Sequence, residues 1–367
     1  MTKTWRAAVA MTVLTVAVAG CATATGSAVA AVDPPAAGAG SAPVTQHDGW
    51  TVGGALALLP ATALPAGEAF VTVGDLVGAS GHAGVEHPAG AAGSITVLEW
   101  ASAVSAPRAD ATVAALLPEV AQPASLALAD DFRAEVGWNL ADVETFAEIT
   151  APPDRFSVLT GPIDEADLTA AMGTPVEGVW SVGPDVDGRQ DLAGRTVARP
   201  LGEGLRTASA DGAVAVSRAT APLRQWVAGG GRTLAEDPSL AALAAALDER
   251  EVYAAVLVPD ATDAVGEHAA LAPFGAMAVG LAVEDGVPVL VVAYRYDTAA
   301  AAAGDVATLT DLVRNGAAAD GRPWADRLDV GEVSAEGAVL TGSFTVHGPP
   351  SVAWQLIATR DALATHR

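Results

Sequence analysis

Six residues in the second half of the chain, Ser209-Ala-Asp-Gly-Ala-Val214, return further on as Ser334-Ala-Glu-Gly-Ala-Val339, with only Asp exchanged for Glu. Each copy is followed by an apolar run and then by Pro-x-x-x-Trp, Pro222 to Trp226 and Pro350 to Trp354. Each also follows a strand-like and then a helix-like stretch, 156–172 and 287–314. A chain that repeats itself at this level must build the same supersecondary unit twice, so a duplicated strand–helix–hairpin–helix unit is expected over about 155–228 and 288–360. Hairpins without regular βαβ alternation place the fold in the α+β class, with antiparallel or mixed sheets packed on helices. The tryptophan of each copy is expected in the first turn of a helix, lying over the sheet.

Local patterns supply the other elements. Phe70–Val73 and Ile95–Trp100 read as strands, joined by a Gly/His/Pro loop. Residues 108–149 read as helical, with Leu140, Val143, Phe146 and Ile149 at three-residue steps. Pro152-Pro153 ends that run and marks a division between an N-terminal α+β part, 48–153, and a C-terminal α+β part, 154–367. Phe156–Thr160 reads as a strand, and Asp164-Glu165 opens a helix with carboxylates at its positive end. Asp237-Pro238 is an N-cap with proline at N1, ahead of Leu240, Leu243 and Leu247 on one face. Val252–Val258 is a strand. Asp285-Gly286 is hairpin chemistry between two long apolar strands. Thr298 caps a long helix carrying the stripe Val306, Leu309, Val313 and ending at Asn315-Gly316.

Composition removes whole classes of chemistry. Lys3 is the only lysine, so the chain beyond it has no Schiff-base lysine, no phosphate-loop GK[ST] and no Ser-x-x-Lys site. One cysteine, Cys21, leaves no disulfide, Cys-rich zinc site or thiol pair. A net charge of −24 argues against nucleic acid as a partner, because phosphate binding needs a basic footprint. Mean hydropathy is +0.35 with 5% aromatics, so the apolar character comes from small aliphatic residues. Arginine in place of lysine, with abundant Ala, Gly, Val and Pro, fits the codon usage of a high-GC genome such as that of an actinobacterium.

Residues 1–20 have a short basic start, an apolar run from Ala7 to Ala19, and Gly20 ahead of Cys21. This is a signal-peptide layout, and the run is too short for the ~20 residues that a membrane span needs. Val18-Ala19-Gly20-Cys21 resembles the lipobox of bacterial lipoproteins, with Val where Leu is commonest. That resemblance implies diacylglyceryl and palmitate-type acylation on Cys21 and cleavage before it. It also implies anchoring at the outer face of the cytoplasmic membrane; two acyl chains hold stably where one is marginal. Cleavage removes Lys3 and Arg6 and leaves the mature chain two charges more negative. Residues 21–47, the lipidated Cys and an Ala/Gly/Pro segment, read as a disordered tether reaching roughly 25–30 Å.

Motifs for chemistry are sparse. His82, Glu86 and His87 carry ligand types for zinc but in none of the helical spacings that zinc enzymes use. Asp185, Asp187 and Asp191 around Gly188 resemble part of a calcium loop, yet the leading and terminal acidic positions are Gly183 and Gly194. Gly202-Glu203-Gly204 is half of a dinucleotide fingerprint and reads as a turn. His347 beside Gly348-Pro349 reads as a loop residue. Trp100, Trp138, Trp180, Trp226 and Trp354 read as core anchors, while Trp50 and Trp324 lie among Gly or charged residues where they could face a ligand. No cofactor is implied and no catalytic residue is singled out. The expectation is a lipid-anchored envelope protein, leaning away from enzymes, that binds a protein partner or organises the surface. A transporter's solute receptor and an extracytoplasmic hydrolase are the alternatives.

Overall fold

The computed structural model describes residues 49–65, 67–90, 92–121, 126–266 and 269–367. The expected signal peptide 1–20, Cys21 and the tether to 47 lie outside the described residues. In chain order the strands are β1 (Phe70–Asp75), β2 (Thr145–Ala151), β3 (Asp154–Thr160), β4 (Val179–Val182), β5 (Leu205–Ala210) and β6 (Ala213–Ser217). They continue with β7 (Ala254–Val258), β8 (Ala276–Glu284), β9 (Val287–Arg295), β10 (Leu328–Glu336) and β11 (Val339–Val346). All belong to one sheet, ordered β10-β11-β9-β8-β7-β1-β2-β3-β6-β5-β4. Every neighbouring pair is antiparallel.

This order reads the same outward from its centre. From β1 the sheet runs β2, β3, β6, β5; from β7 it runs β8, β9, β11, β10, and β4 is an extra edge strand on the first side. The antiparallel β1–β7 pair at the middle is what a two-fold relation normal to the sheet requires. The duplication legible in 155–228 and 288–360 is thus the outer part of a larger one, in which each half contributes five matching strands. Helices preceding the central strands match too: α1 (Val52–Ala57) comes before β1 and α7 (Pro238–Asp248) before β7. They meet where Asp248 Oδ1 and Oδ2 accept the free amides of Val52 and Gly53, at 2.6 and 3.1 Å.

Helices cover both faces. On one lie α2 (Leu76–Ala83), α3 (Ser94–Ser105), α4 (Ala129–Val136), α5 (Glu165–Met172), α8 (Ala299–Gly304), α9 (Val306–Asn315) and α10 (Val352–Ala358). On the other lie α1, α6 (Thr220–Ala228) and α7. A sheet covered on both sides needs apolar residues at successive positions, and β8 and β9 are buried along most of their length. Leu240, Leu243 and Leu247 of α7 and Leu309 and Val313 of α9 are buried, as their spacing predicts. Asp285 and Gly286 both take positive φ, +52° and +78°, as the type I′ turn demands.

Several expectations change. Residues 95–100 are helical, within α3; Val97, Trp100, Ala101 and Val104 bury one stripe, and this period outweighs the β-branched residues at its start. Residues 145–151 form strand β2 where a helix was expected, so Phe146 and Ile149 face opposite sides of the sheet. Pro152-Pro153 makes the turn of the β2–β3 hairpin, so the division expected at 153/154 falls between two paired strands. The stretch expected as one long helix after Thr298 is broken at Asp305 into α8 and α9. Asp305 is buried there and accepts from Ala272 N at 2.6 Å and Tyr296 Oη at 2.9 Å. Trp354 sits in the first turn of α10, but Trp226 sits in the last turn of α6, and these two helices lie on opposite faces. The repeat therefore holds through its hairpin and departs at its final helix.

Candidate functional site

Registers across the sheet define a single row of side chains, one from each strand, on the face that carries α2–α5. From the β4 edge it reads Trp180, Thr207, Val216, Ser157, Glu148, Thr72, then Val256, Val279, Val292, Gly342 and Val333. Matching positions in the two halves can be compared directly. Thr72 stands opposite Val256, Glu148 corresponds to Val279, Ser157 to Val292 and Thr207 to Val333. The second half keeps the row apolar, as a covered sheet face should be. In the first half a carboxylate and three hydroxyls interrupt it.

Burying such groups costs stability unless they are paired. Glu148 and Ser157 are each 1% exposed, and Ser157 Oγ donates to Glu148 Oε2 at 2.5 Å. Glu148 Oε1 accepts from the backbone amide of Glu119 at 3.3 Å and from Thr150 Oγ1 at 3.4 Å. The Arg155 guanidinium lies alongside, with Nε 4.0 Å from Glu148 Oε2, and Arg155 Nη2 is paired with Glu119. Loss of water around Glu148 outweighs the help from Arg155, and its pKa is pushed up to about 7. Near neutral pH this carboxyl is therefore divided between its protonated and ionised forms. Thr207 Oγ1 is buried with no hydrogen-bond partner.

Above Ser157 and Val216 opens a cleft of about 180 Å³. Its walls come from four segments: Glu119 and Val120; Arg155 and Ser157; the loop from Val197 to Leu205; and Val216 to Arg218. The loop is pinned at both ends. Glu135 of α4 takes Arg199 Nε at 2.9 Å and Thr196 Oγ1 at 2.6 Å, and accepts the amide of Ala198 at 3.3 Å. Glu203 pairs with Arg218 Nε at 2.6 Å and accepts from Gln190 Nε2 at 2.8 Å. Gly202 has φ +69°, and a Cβ there would lie 2.0 Å from the carbonyl oxygen of Asp191, so this tight return admits only glycine. Three arginines and two glutamates thus face a small space with the apolar Val120, Val197, Leu205 and Val216.

Most residues singled out from the sequence fall elsewhere. Cys21 lies outside the described residues. Asp187 accepts the amide of Thr220 at 2.8 Å and its hydroxyl at 3.0 Å, which caps α6, and lies 3.4 Å from Arg206 Nε. Asp191 caps a short 3-10 turn through Ala193 N at 3.1 Å, while Asp185 is exposed. His82 belongs to the last turn of α2, where a loop was expected. His87 Nε2 lies 3.0 Å from the Val143 carbonyl oxygen, with its ring edge-on to Trp100. Burial lowers both imidazoles' pKa values. Among the described residues no group of three or more His, Cys, Asp or Glu is placed to hold a metal ion. His347 Nε2 lies 2.7 Å from Asp329 Oδ2 on the surface. Trp324 is 1% exposed and belongs to the core, and Trp50 packs half-buried over the opposite face. Glu203 and Gly204, read as a mere turn, do line the cleft.

No family model matches the chain, and no curated protein does. Among solved structures, crystal form I of TP0453 aligns at 9% identity and a TM-score of 0.39, covering 82% of this chain and 97% of that one. Crystal form IV of TP0453 aligns at 9% identity and a TM-score of 0.37, over 82% and 96%. Scores this low do not establish a shared fold.

Proposed function

We propose that this protein is a non-catalytic, lipid-anchored binding protein at the outer face of the cytoplasmic membrane, whose ligand sits in the cleft lined by Arg155 and Ser157, the two neighbours of the buried Glu148. The anchoring rests on Val18-Ala19-Gly20-Cys21 behind a short apolar run. Among the described residues no helix is long and apolar enough to cross a membrane. The observation that carries the binding role is the polar row of the first half set against Val256, Val279, Val292 and Val333 in the second. The matching strands of the second half do without such groups, so their retention beside a cleft in the first half supports a role in binding. Metabolic labelling with a fatty acid tests the anchor: wild type takes up label, and a Cys21→Ala chain that still does so refutes it. Native mass spectrometry of protein extracted from the envelope tests the seat. A small-molecule adduct present in wild type and absent from Glu148→Val/Ser157→Val supports it; a co-purified protein held equally by both places binding elsewhere.

One observation favours a hydrolase as the second reading: Ser157 Oγ sits 2.5 Å from a carboxyl with a near-neutral pKa. Against it, Ser157 lies mid-strand between β2 and β6, where the ladders occupy the backbone amides that would form an oxyanion hole. A fluorophosphonate probe that labels Ser157 in wild type, and not in Ser157→Ala, would favour the hydrolase.

A further inference from the structure

Resting on the reading of the cleft as a ligand seat, we infer that it takes a compact organic carboxylate, with Arg155 as its anchor and Glu119 as a resident carboxylate that the ligand displaces. The two acids beside Arg155 are held very differently. Glu148 is fixed from three sides, by Ser157, Thr150 and the amide of Glu119, and stays alongside the guanidinium. The Glu119 side chain is 44% exposed and stands on an irregular segment after α3. Arg155 is 18% exposed, and its buried Nε makes no hydrogen bond. A planar guanidinium with one fixed and one exchangeable carboxylate offers the exchangeable place to another planar anion.

Charge and size narrow the class. Replacing the Glu119 carboxylate by a ligand carboxylate keeps one negative charge at Arg155, whereas a phosphate dianion would add a second beside Glu148. Arg199 and Arg218 are engaged by Glu135 and Glu203, so they shape the local field without offering another free anion position. Val120, Val197, Leu205 and Val216 provide apolar wall for an organic body. A volume of about 180 Å³ is below that of pockets for drug-sized ligands, roughly 300–1,000 Å³, so the body is small.

Calorimetric titration with benzoate and hexanoate tests this, with benzamide and inorganic phosphate as controls, on wild type, Glu119→Gln and Arg155→Met. Glu119→Gln keeps the shape and removes the competitor, so it binds the carboxylates more tightly than wild type by about tenfold, about 1.4 kcal/mol. Arg155→Met loses saturable binding, and neither control binds. A purely structural Glu119–Arg155 pair predicts no gain in Glu119→Gln. Should Arg155→Met fail to fold, the gain in Glu119→Gln still decides. Equal or weaker carboxylate binding in Glu119→Gln, or no saturable binding to it at all, overturns the inference. Phosphate or benzamide binding as tight as benzoate overturns the carboxylate class while leaving the cleft as a ligand seat, and the envelope adduct reports on that seat independently.

Discussion

Substituting Glu148→Gln freezes the buried acid in a form close to its protonated state, and the consequence is a change in how stability responds to pH. Glu148 titrates at about 7 in the folded protein, against 4.5 for an ordinary glutamate. A carboxyl whose folded pKa is raised keeps its proton in the fold where the unfolded chain has released it. Its contribution is fully present below about pH 4.5 and is lost as pH rises through about 7. At about 1.4 kcal/mol for each pH unit, the gap between those values amounts to about 3 kcal/mol. Glutamine has no such loss. Urea unfolding of both proteins from pH 4.5 to 8 at fixed ionic strength should show the variant gaining about 3 kcal/mol on wild type as pH rises. Asp142, Asp248 and Asp361, raised by burial, and His82 and His87, lowered by it, titrate in both proteins and cancel in the difference. A difference constant to within about 0.5 kcal/mol, smaller than half a pH unit's worth, would refute the claim that burial controls this group.

Leu309→Ala, fully buried where α9 crosses the second-half strands, should cost about 2–5 kcal/mol, read as a lowered urea midpoint with an unchanged slope. Asp187→Ala removes the cap of α6 and the partner of Arg206, and should cost about 1 kcal/mol in calcium-free buffer. The same loss with and without calcium would separate capping from metal binding; a loss seen only with calcium would contradict the structural role. Gly202→Ala should destabilise the 197–205 loop at its tight return, seen as faster amide exchange there, because its Cβ would meet the Asp191 carbonyl.

How much of this was legible in the sequence depended on how local the signal was. Asp285-Gly286 and Asp211-Gly212 specify their hairpins through positive φ, and the repeated hexapeptide pointed to the duplication. The full two-fold arrangement of strands was not legible, because β1, β2, β7 and β8 share no motif and only pairing reveals their equivalence. The segment 140–149 misled because Leu140, Val143, Phe146 and Ile149 recur at three-residue steps while serving a short 3-10 turn and then a strand. Read as helix, that segment left Glu148 one acid among 43, with nothing to mark it. Read as the strand Phe-Ala-Glu-Ile-Thr in a sheet covered on both faces, the same residue is a lone charge that must be buried, which is the signal that finds the site. The cleft's other charged residues, Glu119, Arg199, Glu203 and Arg218, come from separate segments joined only by register and loop packing. The weaker motifs had local duties: Asp187 and Asp191 cap helical turns, and His87 packs on Trp100.

On this reading the first half alone carries a ligand seat, in a sheet whose second half is its apolar counterpart. Amide chemical-shift mapping of the isotope-labelled protein during a benzoate titration tests it most directly. Saturable shifts are expected at 119–120, 155–157, 197–205 and 216–218, with Val256, Val279, Val292 and Val333 unmoved. Shifts centred on the second-half strands, or none that saturate anywhere in the cleft, would contradict it.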